Sequence, residues 1–467
     1  MIKNLTFFIH NEYLYNYKYF MKFWFIIIIA IFGFACTREN NIKDIRTLFE
    51  QGNYEAVQSL LERILFNNPH DVSGLMLQCE LSVAQKQWNS AFVFYDSLRL
   101  AIKHEHIAVL EHICEKFLLD GVHASSVQIR RAVINTLTKL DDPSFIPLFT
   151  RGLSDSSLIV RSECARALGF IRAFSTIPIL RTALTDQDQS TKLYSAATLF
   201  VMGEETETSP LLTNTFLSNN SALQYALLEL VEPVRRPSIL PLLKTAYGSS
   251  SPDIRLQVVE HMVHLGHQPL AFSYIEAIIQ HREALPESLL AKAMDILGMF
   301  SYPPAVSLLE TIASGKYPRV SLTAQLLAIR TITQNKHTFA GFSPEQFIRD
   351  QDNRIRLLGA EISYYINPAE GRKLITQLFS EKVYDIQFLC HIDDPFSLPL
   401  LKASLPDVPD DQKFAIIYYM ARFRDLSGIS HLLSLCRSNG EVGAYRAAGA
   451  IVQILKTFRG TKIYTGA

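Results

Sequence analysis

Apolar residues recur along this chain at the spacing of an amphipathic helix, and the pattern then repeats itself. Ile129, Val133, Leu137 and Leu140 stand at i, i+4, i+8 and i+11. At about 3.6 residues per turn these positions share one helix face. Val160, Cys164, Leu168 and Ile171 keep the same spacing, each displaced from its counterpart by one constant interval (160 − 129 = 31). The next short helix shifts likewise: Ile146, Phe149 and Leu153 become Ile177, Leu180 and Leu184. Two unrelated helices do not hold register over such a length. A period of about 30 residues predicts helix pairs stacked in tandem, a solenoid.

The unit has a local grammar. A short polar turn precedes an apolar–Arg pair that opens a helix, as in Ile129-Arg130, Val160-Arg161, Ile254-Arg255 and Ile355-Arg356. Ile134, Ala165, Val259 and Ala360 lie four residues after each Arg. Leu168-Gly169, Leu265-Gly266 and Leu297-Gly298 are expected to end their helices, the glycine taking a left-handed cap. Thr191-Lys192, Lys413 and Tyr445-Arg446 open weaker copies. The alternation that strands require is absent.

An earlier stretch follows another rule. Gly52-Asn53-Tyr54-Glu55-Ala56-Val57, then an amphipathic run to Asn68-Pro69, reads as turn, helix, stop. Pro69 lacks an N–H and clashes with the preceding turn. The step from Tyr54 to Trp88 (88 − 54 = 34) aligns Val57 with Ala91, and Leu60 and Leu61 with Phe94 and Tyr95. Each aromatic is expected to wedge between the two helices of its unit.

Gly52 to Pro69, and the turn Gln87 to Ala91, resemble the second half of a tetratricopeptide repeat. Val-Arg-x-x-x-Ala-x-x-Leu-Gly, an Asp-rich turn and a second apolar helix resemble the HEAT-like repeats. That resemblance is close over 126–203, looser over 251–313 and 351–380, and faint elsewhere. It implies an all-α fold, a right-handed α-solenoid or armadillo-like superhelix. Tetratricopeptide-like pairs would occupy 36–105 and about ten HEAT-like pairs 106–460, with a frayed tail at 461–467. It also implies that the second helices, beginning near Ile146, Ile177, Ile239, Phe272 and Val306, line an inner groove that binds another protein or an extended peptide.

The N-terminus adds a destination. Met21-Lys22 precedes the apolar run Phe23 to Phe32. A basic residue, about 7–15 apolar residues and then small residues make a secretory signal. The run falls short of the roughly 20 residues of a spanning helix. Residues 1–20, rich in Tyr, Phe and Asn, do not suit a signal, so translation is expected to start at Met21 and residues 1–35 to be the signal peptide. Gly33-Phe34-Ala35-Cys36 resembles a bacterial lipobox: Ala35 fits, whereas Gly33 and Phe34 depart from it. The preferred reading is lipidation at Cys36; cleavage without a lipid and an uncleaved anchor are the alternatives. Thr37, not Asp, favours the outer membrane. The expected place is a lipid-anchored position in a bacterial envelope, on the periplasmic face or the outer membrane.

Composition narrows the classes. A chain of 467 residues exceeds one compact core, and 48% hydrophobic against 19% charged residues describes ordered protein. Lys+Arg and Asp+Glu are both 45, so the basic excess of a nucleic-acid binder is missing. Removing residues 1–35 leaves 42 basic (45 − 3) against 44 acidic (45 − 1). Six cysteines without regular spacing make no disulfide framework. Cys79, Cys114, Cys164, Cys390 and Cys436 are expected as buried free thiols.

Candidate chemistry is sparse. Arg130, Arg161, Arg255 and Arg356 could form an anion-binding ladder. In the HEAT-like family the equivalent Arg hydrogen-bonds acids of the inter-repeat turn, here Asp155 and Asp186, as a planar fork allows. His261, His264 and His267 are expected on the surface or in a turn, since i+6 is rotated roughly 120° from i. His104, His106 and His112 make no better metal site. Asp407, Asp410 and Asp411 read as a solvated turn with N-capping carboxylates. Tyr364-Tyr365 and Tyr418-Tyr419 suit core packing better than a contact groove. No G-x-S-x-G, H-E-x-x-H or phosphate-cradling glycine loop is present, so no catalytic residue, metal, cofactor or small-molecule substrate is expected. The resulting expectation is a monomeric, non-enzymatic scaffold for partner proteins, without nucleic acid. The alternatives are an enzyme or enzyme subunit, since some HEAT-like families act as lyases, and a nucleic-acid-binding protein.

Overall fold

Every regular element of this computed structural model is helical among the described residues, which are 44–218, 220–281, 286–335, 343, 345–392, 394–437 and 442–460. Residues 1–35, expected as a signal peptide, Cys36 and the tail at 461–467 lie outside them. No described helix is long and apolar enough to cross a membrane. Between Phe117 and Leu118 the chain divides into two compact units.

The first unit holds α1 (44–50), α2 (Tyr54–Asn67), α3 (Val72–Ala84), α4 (Trp88–Ile102) and most of α5 (Ile107–Gly121). Gly52 turns the chain with φ +74°, and the Asn53 side chain accepts the Ala56 N–H at 3.3 Å to cap α2. Asp71 caps α3 through the Gly74 N–H at 2.8 Å. Tyr54 lies against Phe49 of α1, ring centres 5.6 Å apart, a wedge between neighbouring helices. Trp88 meets Phe117 of α5 instead, at 5.5 Å. Ile45, Val57, Leu61, Leu77 and Leu81 form the buried centre.

The second unit is a run of ten hairpins among the described residues, followed by one more helix. The hairpins are α6 (Val127–Lys139) with α7 (Ile146–Gly152), α8 (Leu158–Phe170) with α9 (Ile177–Ala183), α10 (Gln189–Val201) with α11 (Glu205–Phe216), and α12 (Ser221–Val231) with α13 (Leu240–Tyr247). Then come α14 (Pro252–His264) with α15 (Gln268–Gln280), α16 (Glu287–Gly298) with α17 (Pro303–Ala313), and α18 (Leu322–Gln334) with α19 (Glu345–Ile348). The series ends with α20 (Asn353–Ile366) and α21 (Pro368–Ser380), α22 (Ile386–His391) and α23 (Ser397–Ser404), α24 (Asp410–Arg422) and α25 (Ile429–Cys436), and finally α26 (Val442–Gly460). Polar caps start the first helices: Ser126 on the Ile129 N–H at 3.4 Å and Asp188 on the Thr191 N–H at 2.7 Å. Proline stands in the first turn of α7, α9 and α13, where its missing N–H costs nothing. The periodic apolar positions are the core: Val133, Leu137, Val160, Cys164 and Leu168 are all buried. From Leu193 to Ile362 the buried side chains form one continuous cluster.

Two expectations need correction. Gly266 does take a left-handed turn, φ +80°, but Gly169 and Gly298 are helical residues. A Cβ on Gly169 would come within 2.6 Å of Thr198 Oγ1, and one on Gly298 would collide with Thr331. These glycines let α8 approach α10 and α16 approach α18. The second correction concerns which helices lie inside. The first helices pack one on the next from α6 to α20. Tyr364 and Tyr365 of α20 then meet Phe388 of α22 at 6.0 and 6.2 Å, and α22, α24 and α26 continue the series. Among the described second helices only α11 and α13 pack closely on each other. Hairpins that touch along one edge and spread along the other are wedges. The first helices therefore take the shorter, inner path, and the second helices the outer.

The inner layer also closes. α26 packs on α6; Gly449 faces Thr136 so closely that a Cβ would not fit, and Gly121 faces Tyr445 in the same way. Lys456 Nζ reaches Asp142 at 3.1 Å, across 314 positions of sequence. The second unit is thus a closed cycle of helix contacts.

Candidate interaction site

Polar side chains of the first helices join neighbouring repeats. Glu163 of α8 accepts Nε of Arg131 (α6) and Nε of Arg166 (α8), both at 2.9 Å, and Arg166 Nη2 donates to Asn135 at 2.5 Å. Arg330 of α18 stands between Asp295 of α16 at 2.5 Å and Glu361 of α20 at 3.9 Å. Burial raises the Glu361 carboxyl to about 8, against the pull of Arg330.

Where α26 meets α6 the helices enclose a half-open cavity of about 800 Å³, within the about 300–1,000 Å³ usual for ligand sites. Arg131, Asn135 and Lys139 line it from α6, Arg166 from α8, Asp410, Asp411 and Phe414 from α24, and Arg446, Gly449 and Gln453 from α26. A smaller hollow of about 260 Å³ shares Phe414, Ala450 and Gln453 and adds Ala415, Tyr418 and Ile454. The cavity exists because the ends of the unit meet; an open array would leave α6 and α26 apart.

The candidates read from sequence divide. Arg130 grips Asp155 with two bonds of 2.8 and 3.0 Å and also donates to the carbonyls of Ala124 and Ser125. Arg161 repeats this on Asp186 at 2.8 and 2.9 Å. Arg356 bonds the Ile348 carbonyl at 2.9 Å and pairs with Glu381. Arg255 departs from the set: its Nε is buried without an acceptor. Three of the four arginines, Arg130, Arg161 and Arg356, are thus repeat joints.

His261 is buried, not at the surface, and its Nε2 lies 3.3 Å from the Val234 carbonyl. Burial lowers its pKa. His264 faces Glu232 at 3.4 Å, and among the described residues no three His, Cys, Asp or Glu side chains are placed to hold a metal. Asp410 and Asp411 occupy the first turn of α24, but Pro409 holds the cap position and neither carboxylate caps. Asp410 instead takes Lys413 at 3.0 Å. Tyr364 donates to Asp394 at 2.8 Å within an aromatic cluster, and Tyr419 is buried on Ser397 and the Ile392 and Asp394 carbonyls. Tyr418 is different, 38% exposed beside the cavity. Cys79, Cys114, Cys164 and Cys436 are buried and Cys390 half-buried, all as free thiols. Arg131, Lys139, Arg166 and Arg446 went unseen as a group because they share no period and come from opposite ends of the unit.

Comparison with known proteins gives one family: residues 115–199 match the model for HEAT repeats. No curated protein sequence matches the chain. Among solved structures, the complex of CpcE and CpcF of phycocyanin lyase from Nostoc sp. PCC7120 is similar at 16% identity, TM-score 0.31, over 48% of this chain and 89% of that one. Human deoxyhypusine hydroxylase is similar at 15% identity, TM-score 0.23, over 59% and 99%. Kap121p is similar at 16% identity, TM-score 0.25, over 90% and 50%. The family match falls where the repeat register is tightest, within an all-α solenoid whose hairpins run on from there to α26.

Proposed function

We propose that this chain is a non-enzymatic scaffold of a bacterial envelope, exported by the signal at 1–35, tethered through a lipid on Cys36, and binding partner proteins on the inner face of its repeats. The observation that carries the binding role is the unbroken layer of first helices with a cavity at its closure. A solenoid of this kind buries each hairpin against its neighbours and leaves a large surface for its mass. Some charged residues of that layer are spent on each other, Arg131 and Arg166 on Glu163 and Arg330 on Asp295 and Glu361, which suits a rigid docking face. The export role rests on the apolar run and on Cys36 at its end. In this reading the scaffold works as a monomer, with neither nucleic acid nor a small-molecule substrate.

Two measurements test it. Metabolic labelling with a palmitate analogue should mark the wild type and not Cys36→Ala; equal labelling, or none in either, removes the tether. Crosslinking in intact envelopes should capture specific partner proteins, and an empty capture removes the scaffold.

A further inference from the structure

We propose that the cavity at the closure of the second unit binds an acidic, aromatic-containing peptide segment of a partner protein. This deepens the scaffold reading and rests on it for the partner's being a protein; it names where that partner is held and by what chemistry.

The first ground is charge. The whole chain is balanced, 45 basic residues against 45 acidic, but this wall is not. Arg131, Lys139, Arg166 and Arg446 face the cavity from α6, α8 and α26. Arg131 and Arg166 share one carboxylate, Glu163, each at 2.9 Å. Lys139 and Arg446 are exposed and form no ion pair among the described residues. Asp410 and Asp411 line the cavity from α24, but they sit in the first turn of that helix, whose N-terminal dipole offsets them. Asp410 is further engaged by Lys413. A carboxylate entering beside Arg131 and Arg446 would meet guanidinium donors with spare N–H groups, the strongest class of hydrogen bond available to it.

The second ground is the apolar hollow alongside. It shares Phe414, Ala450 and Gln453 with the cavity and is walled by Tyr418 and Ile454. Tyr418 leaves 38% of its surface exposed while Tyr419 next to it is buried, so an aromatic face stands open at the rim. A cationic space continuous with an aromatic one fits a carboxylate side chain followed by an aromatic one. It fits a nucleic acid poorly, since Glu163, Asp295 and Glu361 interrupt any basic track along the inner layer.

The test uses the full chain and fluorescence anisotropy. The probe is a short synthetic peptide of Asp-Glu-Phe triplets, beside its Asn-Gln-Phe counterpart and an oligothymidine. The acidic peptide should bind best and weaken with added salt. Arg446→Glu and Lys139→Glu, both at exposed positions, should each weaken it about fivefold or more with melting unchanged; Tyr418→Ala should weaken it through the aromatic side chain. Equal binding of the uncharged peptide, tighter binding of oligothymidine, or no effect of the charge reversals overturns the site. Envelope crosslinking with the Arg446→Glu, Lys139→Glu double variant separates the two proposals. Lost capture supports the site. Undiminished capture overturns it and leaves the scaffold standing. Empty capture by the wild type, together with tight and charge-dependent peptide binding, supports the site and removes the scaffold.

Discussion

Arg161 ties two inter-repeat turns together with one side chain. Its Nε and Nη2 hold Asp186 at 2.8 and 2.9 Å, while Nη1 donates to the Asp155 carbonyl at 3.0 Å. Asp155 in turn receives Arg130 on its carboxylate at 2.8 Å, so each joint feeds the next. A lysine offers a point charge, not a planar fork. Arg161→Lys is expected to cost about 2 kcal/mol in urea denaturation at neutral pH. Hydrogen bonds from Arg161 hold the Asp186 carboxyl below its ordinary range. A depressed carboxylate stabilises the fold above the unfolded-state pKa, and that contribution fades as pH falls through the folded-state one. The gap between wild type and variant should therefore close in acid. Glu361 works the other way. Burial raises it from 4.5 to about 8, so the fold favours its neutral form and loses stability as pH rises between those values. Asp295 and Asp385 add repulsion and Arg330 opposes it. Glu361→Gln should raise the melting temperature at pH 8 and leave it nearly unchanged at pH 4; an equal shift at both refutes the ionisation account. The Arg–Asp joints were legible because both partners recur at the repeat interval (161 − 130 = 31 and 186 − 155 = 31). Glu361 was not, because its burial comes from packing on α18 and not from its own pattern.

Three consecutive repeats, α6–α7, α8–α9 and α10–α11, turn at one fixed point. Asp141 has φ +49°, Arg172 φ +55° and Gly203 φ +102°. These three positions keep the same repeat interval (172 − 141 = 31 and 203 − 172 = 31). The chain leaves the first helix through a left-handed residue whatever side chain stands there. Only in the third copy is it glycine, which takes this conformation without a Cβ clash. Arg172 is exposed and has no side-chain bond to lose among those seen. Arg172→Gly is thus expected to stabilise the unit by up to about 1 kcal/mol, and Gly203→Ala to destabilise it by a similar amount; opposite signs from thermal melting would refute this. The helices and their phase were legible from apolar spacing. The role of glycine was not: Leu-Gly marks a turn at Gly266 but a close helix approach at Gly169 and Gly298. Sequence shows the missing side chain without showing which neighbour needed the room.

The closure was the least legible feature, since the partners meet from 314 positions apart and periodicity carries only local register. Magnitudes decide what holds it. The Lys456–Asp142 pair is about one-third exposed on both sides, and surface pairs contribute only about 0–1 kcal/mol. Ile451, Val452, Ile454 and Leu455 of α26, which packs on α6, α24 and α25 together, are buried to 1% exposure or less. Burying each such side chain is worth about 1.5–3 kcal/mol, so one of them outweighs the ion pair. The limiting requirement is close approach at Gly449, where Thr136 fills the space a Cβ would take. Lys456→Ala should leave the small-angle scattering profile and the hydrogen-exchange protection of α6 unchanged. Gly449→Val should part α26 from α6, increase the radius of gyration and speed exchange along α6, while α10 to α18 keep their protection because their contacts are local. The same variant should lose the acidic peptide, since the cavity needs both helices. If Gly449→Val changes neither scattering nor exchange, the closed cycle is wrong; if Lys456→Ala opens it, the apolar seam is not what holds it shut.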